Sequence, residues 1–105
     1  MNELASRKCD DGNVARLKGA ELKKYRKLLG GNWRISKGQL EKEFKFKDFR
    51  GALSFTNKIG AAAEKIGHHP DVYLAWGKTR VTIWTHKIHG LTESDFILAA
   101  KIEKL

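Results

Sequence analysis

The chain has 105 residues, of which 41% are hydrophobic and 31% charged, so it is long enough for one domain with one core and too short for two. No run of about eighteen apolar residues occurs, and the first residues contain no apolar signal segment, so the sequence predicts neither a membrane span nor a secretory signal. A single cysteine, Cys9, excludes an internal disulfide and a zinc ribbon, which favours a cytoplasmic location.

The net charge of +9 is concentrated in the first half of the chain. Residues 1–50 hold fourteen Lys or Arg against seven Asp or Glu, whereas residues 51–105 hold seven against five. Basic residues at 23–27 flank apolar residues in the pattern of a solvated helix face. Binding of nucleic acid is the less favoured explanation, because no recognised DNA- or RNA-binding motif accompanies the charge.

The first part of the chain predicts a helix and a hairpin. Residues 1–16 are rich in turn-forming residues without periodicity and predict a loose N-terminal segment, which leaves residues 17–105 as the domain. Apolar residues at helical spacing from Leu17 to Leu29 predict a helix that ends at Gly30-Gly31. Two strands follow, around 33–35 and over 40–47, joined by a turn at 36–38.

The second part predicts a helix, a hairpin and a closing helix. Asp48 is a candidate N-cap, and small or apolar residues at steps of three and four continue to a stop at Gly67 and Pro70. Strands are predicted over 72–76 and 80–85, with a turn at 77–78. Thr92 and Asp95 form a candidate capping box for a helix that runs to residue 104. The order α-β-β-α-β-β-α predicts an α+β domain: a four-stranded antiparallel sheet with helices on one face.

Three of the four histidines, His68, His69 and His86, lie near the ends of predicted elements. An imidazole titrates near neutral pH, so two of them across a small substrate provide an acid and a base. Glu64, one helical turn before His68, can orient an imidazole. Each residue taken alone also has a purely structural explanation, as a polar residue at a helix stop, a solvated helix position or a strand end. A zinc site is disfavoured, because adjacent residues in an extended chain point to opposite sides.

The aromatic residues allow a flat ligand pocket. Trp76 and Trp84 are expected on neighbouring strands, and most of the aromatic residues are expected in the core, with one able to line a slot for a heterocycle. The sequence contains no Gly-rich phosphate loop and no Ser or Cys nucleophile with a matched base. This argues against most hydrolases and nucleotide-dependent enzymes.

A longer pattern joins the candidate residues. In chain order it consists of Glu64, three residues, His68-His69-Pro70, five residues, Trp76, nine residues, His86, eight residues and Asp95. This pattern resembles the signature of the pterin-4a-carbinolamine dehydratases, and similarity to that family extends over roughly residues 17–105.

The resemblance implies a metal-free and cofactor-free lyase that dehydrates 4a-hydroxytetrahydropterin to quinonoid dihydropterin and water, a step of tetrahydrobiopterin recycling after an aromatic amino-acid hydroxylase has acted. By position, His68, His69 and His86 correspond to the catalytic histidines, with the acid and the base left unassigned. The implied substrate-binding residues are Glu64, Pro70, Trp76, Thr85 and Lys87. Asp95 is left out of the site, because capping already explains it.

The resemblance also implies a homodimer or homotetramer, a functional link to the hydroxylase and no membrane association. A non-catalytic scaffold of the same fold, which binds a protein partner as a transcriptional cofactor does, is the alternative from another functional class. A basic nucleic-acid binder is the third possibility.

Overall fold

The computed structural model describes residues 16–105. The elements in chain order are helix α1 (Ala20–Leu29), strands β1 (Arg34–Ser36) and β2 (Gln39–Lys45), helix α2 (Phe49–Ile66), strands β3 (Asp71–Ala75) and β4 (Lys78–Ile83), and helix α3 (Glu93–Glu103). The predicted α+β class and element order are confirmed. The loose segment expected over residues 1–16 lies almost entirely outside the described residues.

The four strands form one antiparallel sheet in the order β1-β2-β4-β3, so β2 and β4 are the inner strands. Leu40 on β2 faces Ile83 on β4, and both side chains are fully buried together with Val81. Helix α2 contacts β3 and β4, and α3 contacts β2, so the helices cover this apolar face. The opposite face is polar and includes the ion pair between Arg34 and Glu41.

Helix α3 lies at the centre of the core, where it contacts α1, α2 and the sheet. Its residues Phe96 to Ala100 are all buried, as is Ile102. The Trp33 indole is also buried and donates a 2.8 Å hydrogen bond to Glu103 at the end of this helix. Because α3 is enclosed, Ser94 and Asp95 of its first turn are also buried.

Helix α2 begins and ends at the predicted residues. The Asp48 carboxylate accepts a 2.8 Å hydrogen bond from the Gly51 amide, as an N-cap does. Gly67 ends the helix in the left-handed conformation, with φ 71°, and its amide donates to the Ala63 carbonyl. The chain therefore leaves α2 sharply, immediately before His68.

The predicted hairpin turn at Gly77-Lys78 was wrong by one residue, because Lys78 already belongs to β4 and the turn consists of Trp76 and Gly77. Gly77 has φ 74°, a conformation that glycine adopts easily. It is the second central residue of the turn, so Trp76 is the first. Trp76 thus lies in the turn, 72% exposed, and not on a strand. Trp84 also lies outside the strands, since β4 ends at Ile83.

Gly60 inside α2 and Gly67 at its C-cap give a matched pair of stability predictions. We expect Gly67→Ala to lower the free energy of unfolding by about 1 kcal/mol, because an L-residue is strained at positive φ. We expect Gly60→Ala to raise it by about 0.5 to 1 kcal/mol, since Gly60 is in the helix interior and a Cβ there meets no atom within 4 Å. Urea unfolding of both variants tests this, and a change of the same sign in both would contradict it.

Candidate functional site

A cleft of about 350 Å³ opens where the end of α2 meets the loop after β4. Its lining residues are Gly67, His68, His69, Trp84, Thr85, His86 and Lys87. The volume falls in the range of small-molecule pockets, about 300 to 1,000 Å³. The fold therefore brings together at one cleft the three histidines singled out in the sequence, although the β3–β4 hairpin separates His86 from the other two in the chain.

His68 points inward from the end of α2 and is hydrogen-bonded to a buried carboxylate. Its Nε2 lies 2.6 Å from Oδ1 of Asp95, and the exposed fractions of the two side chains are 11% and 0%. A carboxylate oxygen accepts hydrogen bonds, so Nε2 is the nitrogen that carries the hydrogen. In the neutral ring, Nδ1 of His68 is then left with a lone pair that can accept a proton.

Asp95 is held by a network at the start of α3. Its second oxygen, Oδ2, accepts 2.8 Å hydrogen bonds from the Thr85 hydroxyl and from the Thr92 amide. The hydroxyls of Thr85 and Thr92 lie 3.0 Å apart. One carboxylate thus completes the capping box of α3 with Oδ2 and orients His68 with Oδ1.

Asp95 was not expected in the catalytic set, because its capping role explains its position in the sequence. The structure corrects this, because the same side chain is bonded to a cleft histidine. The signal that could have identified it was its position as the last residue of the longer pattern that begins at Glu64.

His69 has a different acidic partner from His68 and is more exposed. Its Nε2 is hydrogen-bonded to Oε2 of Glu64, one turn back on α2, and the two side chains are 60% and 77% exposed. Glu64 therefore orients an imidazole, as expected, but the imidazole is that of His69. The two adjacent histidines thus line one cleft but are bonded to different carboxylates.

His86 begins a 3₁₀ turn, His86–Ile88, that follows β4 and was not predicted. Its ring packs on the Trp84 indole with 4.2 Å between ring centroids. The loop is anchored by a 2.8 Å hydrogen bond from the Thr85 amide to the Gly90 carbonyl, and by Arg16, which donates to the Ile88 carbonyl. These contacts hold His86 at the cleft opposite the end of α2.

The remaining predicted site residues lie at different distances from this cleft. Thr85 and Lys87 both line it, Thr85 as a buried residue and Lys87 as an exposed one. Pro70 follows the histidine pair and directly precedes β3. Trp76, in the β3–β4 turn, is not among the residues that line the cleft, and Trp84 provides the aromatic wall instead.

The rest of the described chain offers no second cluster of histidines. Within residues 16–105, no three His, Cys, Asp or Glu side chains are grouped so as to hold a metal ion. No helix in that range is long and apolar enough to cross a membrane. A larger cleft of about 740 Å³ between α1 and the β1–β2 hairpin is lined by Arg26, Arg34, Lys37 and neighbours, and contains no histidine. The three histidines singled out in the sequence are therefore at the smaller cleft.

Comparison with known proteins agrees with this geometry. The family model described as pterin 4 alpha carbinolamine dehydratase matches residues 15–105. The chain belongs to this family. The resemblance noted in the sequence is thereby confirmed, and all the histidines of the cleft lie within the matched residues.

Two relatives are similar to this chain over nearly its whole length, and both are named by inference as pterin-4-alpha-carbinolamine dehydratases. The protein from Alkaliphilus metalliredigens is 51% identical over 99% of this chain and 96% of its own length. That from Rubrobacter xylanophilus is 45% identical over the full length of both. A crystal structure of a "transcriptional coactivator/pterin dehydratase" from Brucella melitensis superposes with a TM-score of 0.79 at 34% identity, covering 86% of this chain and 97% of that one. The dehydratase fold of this family is therefore the fold described above.

Proposed function

We propose that the protein is a dehydratase that converts 4a-hydroxytetrahydropterin to quinonoid dihydropterin and water. The bond between C4a and the hydroxyl oxygen breaks, the N5 proton is removed, and a double bond forms between N5 and C4a, so no redox change occurs. The observation that carries the proposal is one cleft with three imidazoles, one of them hydrogen-bonded to a buried carboxylate. Such groups give and take protons near neutral pH without a cofactor.

In this mechanism His68 is the base that removes the N5 proton. Its Nε2 hydrogen is donated to Asp95, which leaves Nδ1 as the proton acceptor. Asp95 is a positioning residue, because it fixes the ring and its tautomer from behind. Thr85 acts through Asp95, to which its hydroxyl donates.

His86 is the acid that delivers a proton to the leaving hydroxyl. Among the described residues its ring has no hydrogen-bond partner, so both nitrogens remain available to the substrate. The Trp84 indole beside it offers a flat wall for the pterin ring.

The third histidine and the flanking residues complete the binding set. His69, held by Glu64, contacts the substrate from the open side of the cleft, and Pro70 stiffens the segment after the pair because its φ is fixed. Lys87 lies at the cleft edge. Trp76 remains a predicted substrate contact that the cleft lining does not support.

The proposal extends to the cellular setting. We place the reaction in the cytoplasm, in the recycling of a tetrahydropterin downstream of an aromatic amino-acid hydroxylase. The chain forms a homodimer or homotetramer, and this is supported by the two outer strands β1 and β3, whose free edges can pair with another copy. Light scattering of the purified protein measures the assembly, and a monomeric mass would contradict it.

The proposed reaction predicts an increase in the dehydration rate of freshly prepared 4a-hydroxytetrahydropterin, followed by ultraviolet absorbance. We expect the protein to accelerate the reaction and a chelator to leave the acceleration unchanged, because the proton transfers use imidazoles alone. Loss of activity with the chelator would contradict the metal-free mechanism. No acceleration at all would contradict the dehydratase function.

A second candidate function is binding of a protein partner. It is favoured by a set of exposed large apolar side chains on α2, β3 and the turn after β3, namely Phe49, Leu53, Val72, Tyr73 and Trp76. The Brucella melitensis protein is also described as a transcriptional coactivator. Partner binding would persist in a variant that lacks His68 and His86, whereas the dehydratase activity would not.

A further inference from the structure

The lining of the histidine cleft carries positive charge and no acidic residue. It contains three histidines and Lys87, but no Asp or Glu. The two nearby carboxylates are both engaged, Asp95 by His68 and Glu64 by His69. The one permanent charge at the cleft wall is therefore the Lys87 ammonium.

Lys87 is held in place by its backbone, although its side chain is exposed. It is the middle residue of the 3₁₀ turn, which is closed by hydrogen bonds from Ile88 to Thr85 and from His89 to His86, each of 3.2 Å. No carboxylate within residues 16–105 forms an ion pair with Lys87. The ammonium is thus free to bind an anion that enters the cleft.

The proposed reaction does not require the Lys87 ammonium at the reacting atoms of the pterin ring. The atoms that change are C4a, its hydroxyl and N5, and the imidazoles can exchange both protons. The ring carbon bonded to N5 on its other side is C6, which carries the pterin side chain. When N5 and C4a of the substrate lie at the histidines, the C6 side chain begins one bond away from N5. A lysine at the edge of the same cleft is then within reach of that side chain.

We propose that Lys87 selects pterins whose C6 side chain is anionic, as a phosphate ester or a carboxylate. This inference rests on the proposed dehydratase function and narrows its substrate class. The chemistry shared by the two side chains is a negative charge that the ammonium can pair with. An uncharged hydroxyalkyl side chain makes no such pair.

The test compares three freshly prepared 4a-hydroxytetrahydropterins with an uncharged hydroxyalkyl, a phosphorylated hydroxyalkyl or a glutamyl-type side chain. We expect KM to be about 5-fold lower for at least one anionic pterin than for the uncharged one, the scale of a solvent-exposed ion pair. The Lys87→Gln variant should abolish this difference and Lys87→Glu should reverse it. Added salt should also reduce it, because exposed charges are screened.

Lys58→Gln is the matched control. Lys58 is exposed on α2 and does not line the cleft, so this variant has the same charge change without the same position. We expect it to retain the preference. Equal KM values for all three pterins in the unmodified protein would overturn the proposal. A Lys87→Gln variant that changes KM by the same factor for every pterin would also overturn it, because Lys87 would then act on the common ring and not on the side chain.

A second readout separates this proposal from the reaction itself. Trp84 lines the cleft, so quenching of its fluorescence reports binding of the stable 7,8-dihydropterins with uncharged and phosphorylated side chains. If no pterin is dehydrated, the proposed function fails, but tighter binding of the phosphorylated compound that Lys87→Gln abolishes would still support anion selection. Equal binding of both compounds would overturn it.

Discussion

Replacing His68 or His86 with alanine is expected to lower the turnover number for pterin dehydration by about 100-fold or more, the scale of losing a general acid or base. Both imidazoles line the cleft, but they enter it from separate elements, so each variant removes one proton-transfer group and leaves the other in place. Stopped-flow absorbance with freshly prepared substrate measures the effect.

His89→Asn is the control for these two variants. His89 is exposed, does not line the cleft and has φ 49°, a conformation that asparagine tolerates. We expect its turnover to match that of the unmodified protein. If His68→Ala and His86→Ala both kept near-normal rates while remaining folded by circular dichroism, the assignment of the site would be wrong.

Asp95→Asn is expected to lower the turnover number by about 10- to 100-fold with a much smaller effect on stability. The asparagine oxygen can still accept from Thr85 and from the Thr92 amide, so the start of α3 keeps its cap. The amide nitrogen then faces Nε2 of His68 and donates to it, which moves the ring hydrogen to Nδ1. The base loses the lone pair that it needs at the cleft.

Nitrogen NMR of the imidazole distinguishes this positioning role from a merely structural one. In the unmodified protein the His68 hydrogen should be on Nε2, and in Asp95→Asn it should be on Nδ1. Asp95→Ala should in addition reduce the free energy of unfolding by about 3 kcal/mol, since it leaves buried donors unpaired and removes a cap.

Thr92→Ala serves as the comparison for Asp95. It weakens the cap by about 1 kcal/mol but leaves the bond between His68 and Asp95 in place. Its turnover per folded molecule should stay close to that of the unmodified protein. An unchanged turnover number in Asp95→Asn, or an unchanged His68 tautomer, would show that Asp95 only caps α3.

Much of the local structure was predictable because its signals lie between neighbours in the chain. The cap at Asp48, the helix stop at Gly67 and the capping box at Thr92 each depend on residues three to five positions apart, and all three are present. The hairpin turn at Trp76-Gly77 was missed by one residue. A glycine fits either central position of a tight turn, and the sequence did not distinguish them.

The partners within the site were less predictable. Glu64 was expected to orient an imidazole. Whether its carboxylate bonds to His68 or to His69 depends on how the chain turns after Gly67, and the structure shows His69. Trp76 was the tryptophan expected at the substrate, since it belongs to the family pattern, whereas the fold exposes Trp76 and places Trp84 against His86. The spacing pattern contains no signal for Trp84, because its place at the cleft is set by the loop after β4.

By itself the sequence determined the order of elements, their caps and the histidines available for proton transfer, since periodicity, capping and motif spacing are properties of nearby residues. Only the tertiary structure decided that β4 lies beside β2 and that α3 is enclosed in the core. Those two outcomes set the carboxylate of Asp95 against His68, 27 positions away in the chain. Such a pairing depends on how all the apolar faces are buried together, and local signals do not specify it.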